Sequence, residues 1–383
     1  MPLHFSEDEL KGRRRQACAG MMAAGLDGLL IFRQESMYYL TGYDTFGYVY
    51  FQCLYLGVDG TTTLLTRAPD LRQARHTSDI SDIRIWVDKH DASPADQLRD
   101  ILDEHGCKGG RLGVEWDAYG LTAKSGQMLS ASLDGFCALD DASQLVSALR
   151  LVKSPAEMTF VRRAAELADA SLDAALGLAG PGAFEGDILA AMQAAVFQGG
   201  GDDPANETII GSGPGALLCR YFTGRRNLDP QDQLTLEWAG VYRHYHACMM
   251  RTIAIGTPPK EQLSLFDAAS DALAATKEAL KPGRPIGEAF DAHARVLDAA
   301  GLKDHRLNAC GYSLGTTYAP NWMDWPMLYH GNPTVAAPGQ VFFLHMIIMN
   351  SDTGLAMTLG ETVEVTATGV DRLSRQPIEM LVK

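Results

Sequence analysis

The chain has 383 residues, 46% of them apolar and 8% aromatic, and a formal net charge of −14. That length and apolar content support two domains with sizeable cores and exclude a disordered chain. The acidic balance excludes the basic footprint that non-specific nucleic-acid binding requires. The seven cysteines (Cys18, Cys53, Cys107, Cys137, Cys219, Cys248 and Cys310) are scattered, odd in number and never spaced CxxC. This argues against a disulfide framework or a thiolate zinc site and for a reducing, cytoplasmic compartment. The polar start MPLHFSEDEL has no apolar core, so no signal peptide is expected. No apolar run approaches the ~18–20 residues that span a bilayer, so no membrane association is expected.

The first third alternates between helical and strand patterns. Ser6 through Ala24 reads as an amphipathic helix with Ser6 as N-cap and Arg13–Arg15 as a wetted face. LLIF follows the Asp27-Gly28 turn as a short buried strand. The next segment reads as strand, Asp59-Gly60 turn, strand, a hairpin signal. Helical patterns at 70–76 and 94–105 alternate with strands at 83–87 and 111–115, which predicts a sheet covered by helices. No GxGxxG or GxxxxGK[ST] loop occurs. Tyr38, Tyr39 and Tyr43 read as packing residues.

A boundary falls at 148–157, ALRLVKSPAE, giving domains 1–150 and 151–383. Ser154, Pro155 and Glu157 form a capping box with proline at N1. Met158, Val161, Ala165, Ala168 and Leu172 make one apolar face of the helix that follows. Further helices are expected at 185–198, 264–280 and 286–300. The stretch Gln233–Gly256, QLTLEWAGVYRHYHACMMRTIAIG, alternates with period two on both sides of Ala239-Gly240. It predicts a hairpin turning there, with His244 and His246 on one face of its second strand.

Several segments together resemble the creatinase, aminopeptidase P and prolidase family. They are YYLTGY at 38–43, LRLVKSPAEMTFVRRAAELAD at 149–169, LKPGRPIGEAFDA at 280–292, ACGYSLGTTYAP at 309–320, PGQVFFLHMIIM at 338–349 and GETVEVTATG at 360–369. They occur in the family's order and cover essentially the whole chain. The resemblance implies an α+β chain: a pita-bread catalytic domain preceded by a smaller α/β creatinase-type N-terminal domain. It also implies a homodimer.

The family's metallopeptidases hold two divalent ions with two Asp, one His and two Glu. At the positions that resemble those ligands this chain has Glu237, Cys248, Tyr312, His345 and Gly360, with Glu361 one residue on. Five departures from the hard-ion pattern imply that the dinuclear site is lost and that no cofactor is needed. The alternative is one or two divalent metal ions, as a rebuilt site on Glu237, His345 and Cys248. Creatinase resembles the peptidases yet hydrolyses a C–N bond in a guanidino compound without metal, and ectoine hydrolase opens a cyclic amidine. The position of creatinase's catalytic histidine holds Arg220, so that base is not carried over.

Hydrolysis without metal needs a nucleophile, a proton shuttle and groups that hold developing charge. Glu237 is the candidate nucleophile or base and His345 the shuttle. His246, Tyr312 and Glu361 are further catalytic candidates. Arg220, flanked by Cys219 and Tyr221-Phe222, suits a substrate carboxylate. Trp322 and Trp325, with Asp324 as counter-charge, suit a delocalised cation. His244 completes the binding set. The expected substrate is a small zwitterion, ectoine or a related cyclic amidine first and a creatine-like guanidino acid second. The alternatives are a Xaa-Pro peptidase with an aberrant metal site and an inactive pita-bread binding protein.

Overall fold

The computed structural model describes residues 3–220 and 225–383. Tyr221 and Phe222, beside Arg220, lie outside the described residues. The chain divides into two compact units, Met1–Arg150 and Leu151–Lys383.

The first unit runs α1 (Glu7–Ala24), β1 (Gly28–Ile31), α2 (Gln34–Thr41), β2 (Cys53–Gly57), β3 (Thr62–Arg67), α3 (Leu71–Thr77), β4 (Asp82–Trp86), α4 (Pro94–Glu104), β5 (Arg111–Val114), α5 (Ala123–Leu133), β6 (Ala138–Asp141) and α6 (Leu145–Leu151). Ser6 caps α1 by accepting the Glu9 amide at 3.2 Å, and Gly25 ends the helix in the left-handed region. The six strands order as β4-β3-β2-β1-β5-β6. The two central strands, β1 and β2, are buried along their whole length, because apolar clusters pack on both faces of the sheet.

The second unit runs α7 (Pro155–Leu178), α8 (Glu185–Gln198), β7 (Ile209–Ser212), β8 (Asp232–Tyr242), β9 (Tyr245–Ile255), α9 (Lys260–Ala279), α10 (Gly287–Ala299), β10 (Gly311–Ser313), β11 (Asp324–Met327), β12 (Val341–Asn350), β13 (Leu355–Val365), β14 (Val370–Arg372) and β15 (Leu381–Val382). The capping box at Ser154 is complete: Glu157 donates its amide to the Ser154 hydroxyl at 3.3 Å and accepts the Ser154 amide at 2.9 Å. Among the described residues the main sheet orders as β11-β10-β12-β13-β9-β8-β7.

Side-chain parity decides which face of this sheet each residue joins. Leu234, Leu236 and Trp238 of β8 and Met249, Ile253 and Ile255 of β9 pack under α7 and α8. Phe342, Leu344 and Met346 of β12 and Leu359 and Val363 of β13 pack with residues of α9 and α10. The alternate residues face the other side.

The expected turn at Ala239-Gly240 is corrected. Both residues lie inside β8, and the hairpin turns two residues later, with Tyr242 paired to Tyr245. Arg243 and His244 form the turn with φ of 50° and 65°. Positive φ at both central residues matches the twist of the flanking strands. Gly240 is glycine because α7 comes too close for anything larger: a Cβ there would stand 2.0 Å from the Ala164 carbonyl oxygen and 2.3 Å from the Ala168 nitrogen.

Candidate active site

Pairing across the main sheet places one row of residues on the face away from the helices. His345 on β12 lies opposite Gly360 on β13, Gly360 opposite Met250 on β9, Met250 opposite Glu237 on β8, and Glu237 opposite Ile209 on β7. Strand spacing of about 4.8 Å sets the Glu237 and His345 Cα atoms roughly 14 Å apart on a flat sheet. Both side chains line one cavity of about 110 Å³, together with Arg220, Asn206, Tyr312 and Trp322.

Glu237 is buried, and its Oε1 accepts the Tyr312 hydroxyl at 3.3 Å. Burial pushes its carboxyl up to about 7, against the opposing pull of the Tyr312 hydrogen bond and the Arg220 guanidinium. Burial drives His345 down to about 3, helped by His293, so the ring is neutral at pH 7. Its Nδ1 is buried without a hydrogen-bond partner among the described residues. The rings of Tyr312, Phe343 and His345 pack together with centroids 5.4–5.6 Å apart. The cavity lining thus holds a carboxyl group whose pKa lies near neutrality and, three strands away, a neutral imidazole, two groups that general acid–base chemistry can use.

Two catalytic candidates occupy other places. Glu361 is one residue past Gly360, so the period-two alternation turns it to the helix face of the sheet. There it is fully buried, pairs with Lys277 at 2.8 Å and lies 3.1 Å from the Arg372 guanidinium. His246 lies on the cavity side of β9, but both of its ring nitrogens are engaged. Nε2 accepts the Ala205 amide at 3.0 Å, which leaves the ring proton on Nδ1, facing the His244 carbonyl at 2.8 Å and the Thr317 hydroxyl at 3.1 Å. Burial lowers this ring to about 3. His246 therefore pins the Ala205–Asn206 segment. Replacing it by Ala strands the Ala205 amide and is expected to cost about 1–3 kcal/mol of stability in denaturant titration; an unchanged midpoint contradicts this placement.

The binding candidates also separate. Arg220 and Trp322 line the cavity. His244 sits in the hairpin turn rather than on the strand with His246, and its ring stacks on Tyr318 with centroids 4.2 Å apart. Trp325 projects from the exposed side of edge strand β11, outside the cavity lining. Asp324 is buried beside Gly315: a Cβ on Gly315 would lie 3.6 Å from Asp324 Oδ2 and 3.4 Å from Lys153 Nζ. It does not line the cavity, so the expected counter-charge to a bound cation is not provided there.

The positions that resemble the family's metal ligands offer a donor set unlike that of hard divalent ions. Cys248 is fully buried, and burial holds its thiol protonated by raising its pKa well above the ordinary value. Tyr312 is held neutral for the same reason. At Gly360 there is no side chain and no room for one: a Cβ would meet the Phe343 ring at 2.7 Å. Among the described residues no group of three or more His, Cys, Asp or Glu is placed to hold a metal ion. One carboxyl group and one imidazole do not fit a pair of such ions.

The sequence reading missed Asn206, whose Oδ1 accepts the Trp322 amide at 3.0 Å, and Phe343. Asn206 sits in a loop with no periodic signal. Phe343 was legible, because it shares the face of His345 two residues away.

The sequence signature of metallopeptidase family M24 matches residues 159–367, and that of the creatinase/prolidase N-terminal domain matches residues 13–152. The chain is 29% identical to an ectoine hydrolase of Halomonas elongata, over all of this chain and 99% of that protein. It is 23% identical to a Xaa-Pro dipeptidase of Pyrococcus furiosus, over 97% of this chain and all of that protein. The solved structure of a prolidase from Thermococcus sibiricus is similar with a TM-score of 0.87 at 19% identity, covering 99% of this chain and all of that one. The two-unit architecture is thus the creatinase N-terminal domain followed by the pita-bread fold, and the chain belongs to metallopeptidase family M24.

Proposed function

We propose that this protein hydrolyses a non-peptide C–N bond in a small zwitterionic compound, without a bound metal. The observation that carries the reading is the pairing of Glu237, its carboxyl at about 7, with neutral His345 across a cavity of about 110 Å³. The likeness to an ectoine hydrolase supports ring opening of a cyclic amidine, and a guanidino acid comes second. In this reaction a water oxygen bonds to the amidine carbon, one C–N bond breaks, and the leaving nitrogen takes a proton. Ionised Glu237 removes the water proton, or attacks the carbon itself to give a covalent intermediate that the water then opens, freeing the carboxylate, and neutral His345 relays a proton to the nitrogen. Arg220 holds the substrate carboxylate at the rim. We also propose a cytoplasmic homodimer; the free state of all seven cysteines is in keeping with a reducing compartment.

The likeness to dipeptidases keeps one second reading, cleavage of Xaa-Pro dipeptides. Incubation with ectoine, creatine and Gly-Pro, followed by mass analysis, separates the two. Ectoine heavier by one water, or creatine split into two products whose masses sum to creatine plus one water, supports the proposal, and cleavage of Gly-Pro alone overturns it. Arg220→Ala is expected to raise KM about ten- to a hundredfold with kcat nearly unchanged, because it removes binding common to ground and transition states. An unchanged KM would remove Arg220 from the site.

A further inference from the structure

The indole of Trp322 reads from sequence as a face for a substrate cation, but its N–H is already used. It donates to the Tyr312 hydroxyl oxygen at 2.8 Å. An indole N–H only donates, so the direction of this bond is fixed. The single hydrogen of Tyr312 is then free for Glu237 Oε1, 3.3 Å away. Hydrogen bonds thus run one way, from Trp322 through Tyr312 to Glu237. Oε1 is held as an acceptor, and Oε2 accepts no hydrogen bond from the described residues. When the carboxyl is protonated, the proton sits on Oε2, since Oε1 is already receiving one.

Trp322 is itself anchored. It is buried, and its amide donates to Asn206 Oδ1 at 3.0 Å. The neighbouring Ala205 amide is held by His246 on β9, the strand that pairs with the one carrying Glu237. This gives the structural histidine of the hairpin a purpose: it fixes the loop that fixes the indole.

We propose that Trp322, acting through Tyr312, is a positioning residue that fixes Oε2 as the oxygen Glu237 presents to substrate and water. The inference rests on the reading of Glu237 as the reacting carboxyl, but its test does not require turnover. The carboxyl C=O stretch of protonated Glu237 is recorded by infrared spectroscopy at pH 5, assigned by difference from Glu237→Gln. Because the C=O oxygen is Oε1, loss of the hydrogen bond from Tyr312 raises the frequency. Trp322→Phe keeps the apolar wall and removes the donor, leaving the Tyr312 hydrogen free to rotate away. The band is expected to move up in Trp322→Phe and in Tyr312→Phe alike. On a turned-over substrate, kcat of Trp322→Phe is expected to fall about tenfold, the scale of one net hydrogen bond, with KM within about twofold. Added to Tyr312→Phe, the same substitution is expected to cost nothing more, as residues acting in series require.

Asn206→Ala, which releases the Trp322 backbone and leaves the indole, is the second variant should Trp322→Phe fail to fold, with the same upward shift expected. An unmoved band in the folded variants overturns the proposal. So does a kcat loss for Trp322→Phe that persists undiminished in the Tyr312→Phe background. A band that moves in a protein that hydrolyses neither ectoine nor creatine leaves the positioning intact and removes the proposed reaction instead.

Discussion

Glu237→Gln is expected to lower kcat by roughly 10²–10⁴-fold while substrate still binds. The amide has nearly the shape of the carboxyl group and still accepts the Tyr312 hydroxyl through its oxygen, the bond that wild-type Oε1 makes at 3.3 Å. It can neither attack a carbon nor take a proton. The cavity, Arg220 and neutral His345 remain, so Kd by calorimetry is expected to stay within severalfold of wild type. A variant that turns over at the wild-type rate shows that Glu237 is a buried structural carboxyl. A variant that loses binding and turnover together makes it a ligand-holding group rather than the reacting one.

The same substitution is expected to stabilise the protein above pH 7 and to leave it unchanged near pH 5. Burial raises the Glu237 carboxyl from 4.5 to about 7. A raised folded pKa contributes stability that is fully present below the unfolded value and is lost as pH rises through the folded one. For a shift of this size the loss is about 3 kcal/mol, complete above pH 7. A glutamine side chain carries no charge at any pH and escapes it. His246 and His345, both lowered to about 3, act in a different window. Their contribution is present above about 6.5 and lost as pH falls toward 3, and it cancels when variant and wild type are compared at one pH. The measurement is thermal unfolding of both proteins at pH 5 and pH 8. The expected result is a Tm advantage for the Glu237→Gln variant of about 5–10 °C at pH 8 alone. An equal difference at both pH values would mean that the carboxyl is not desolvated.

The architecture was legible because local chemistry and global fold agree over most of the chain. Ser154, Pro155 and Glu157 announce the start of α7 by composition alone, and the capping box is formed. Glu237 and His345 were legible because the family resemblance places them at two of its ligand positions; alternation alone does not mark His345, since Phe343 and Ile347 share its face. The errors have three physical sources. Gly240 reads as a turn in isolation, whereas the cause of that glycine is α7, which crosses the strand from far away in sequence. Glu361 differs from the cavity face by a single residue, and a strand turns its side chains over at each step. His246 has the residue type and the strand position of a catalytic base; only the Ala205 amide and the His244 carbonyl reveal that both of its nitrogens are occupied. Trp322 is an intermediate case. It lines the cavity as expected, yet its N–H serves Tyr312, a pairing ten residues apart that no periodicity signals.

The chain belongs to a metallopeptidase family, yet we propose that Glu237 and His345 rather than bound ions carry its chemistry. The most direct test is metal content by mass spectrometry on protein purified without chelator, with turnover of ectoine, creatine and Gly-Pro measured on the same sample before and after chelation. Far less than one metal ion per chain is expected, with hydrolysis of a non-peptide substrate that chelation leaves unchanged. About two ions per chain, the complement of two-metal hydrolytic sites, with Gly-Pro cleavage abolished by the chelator, would contradict the proposal.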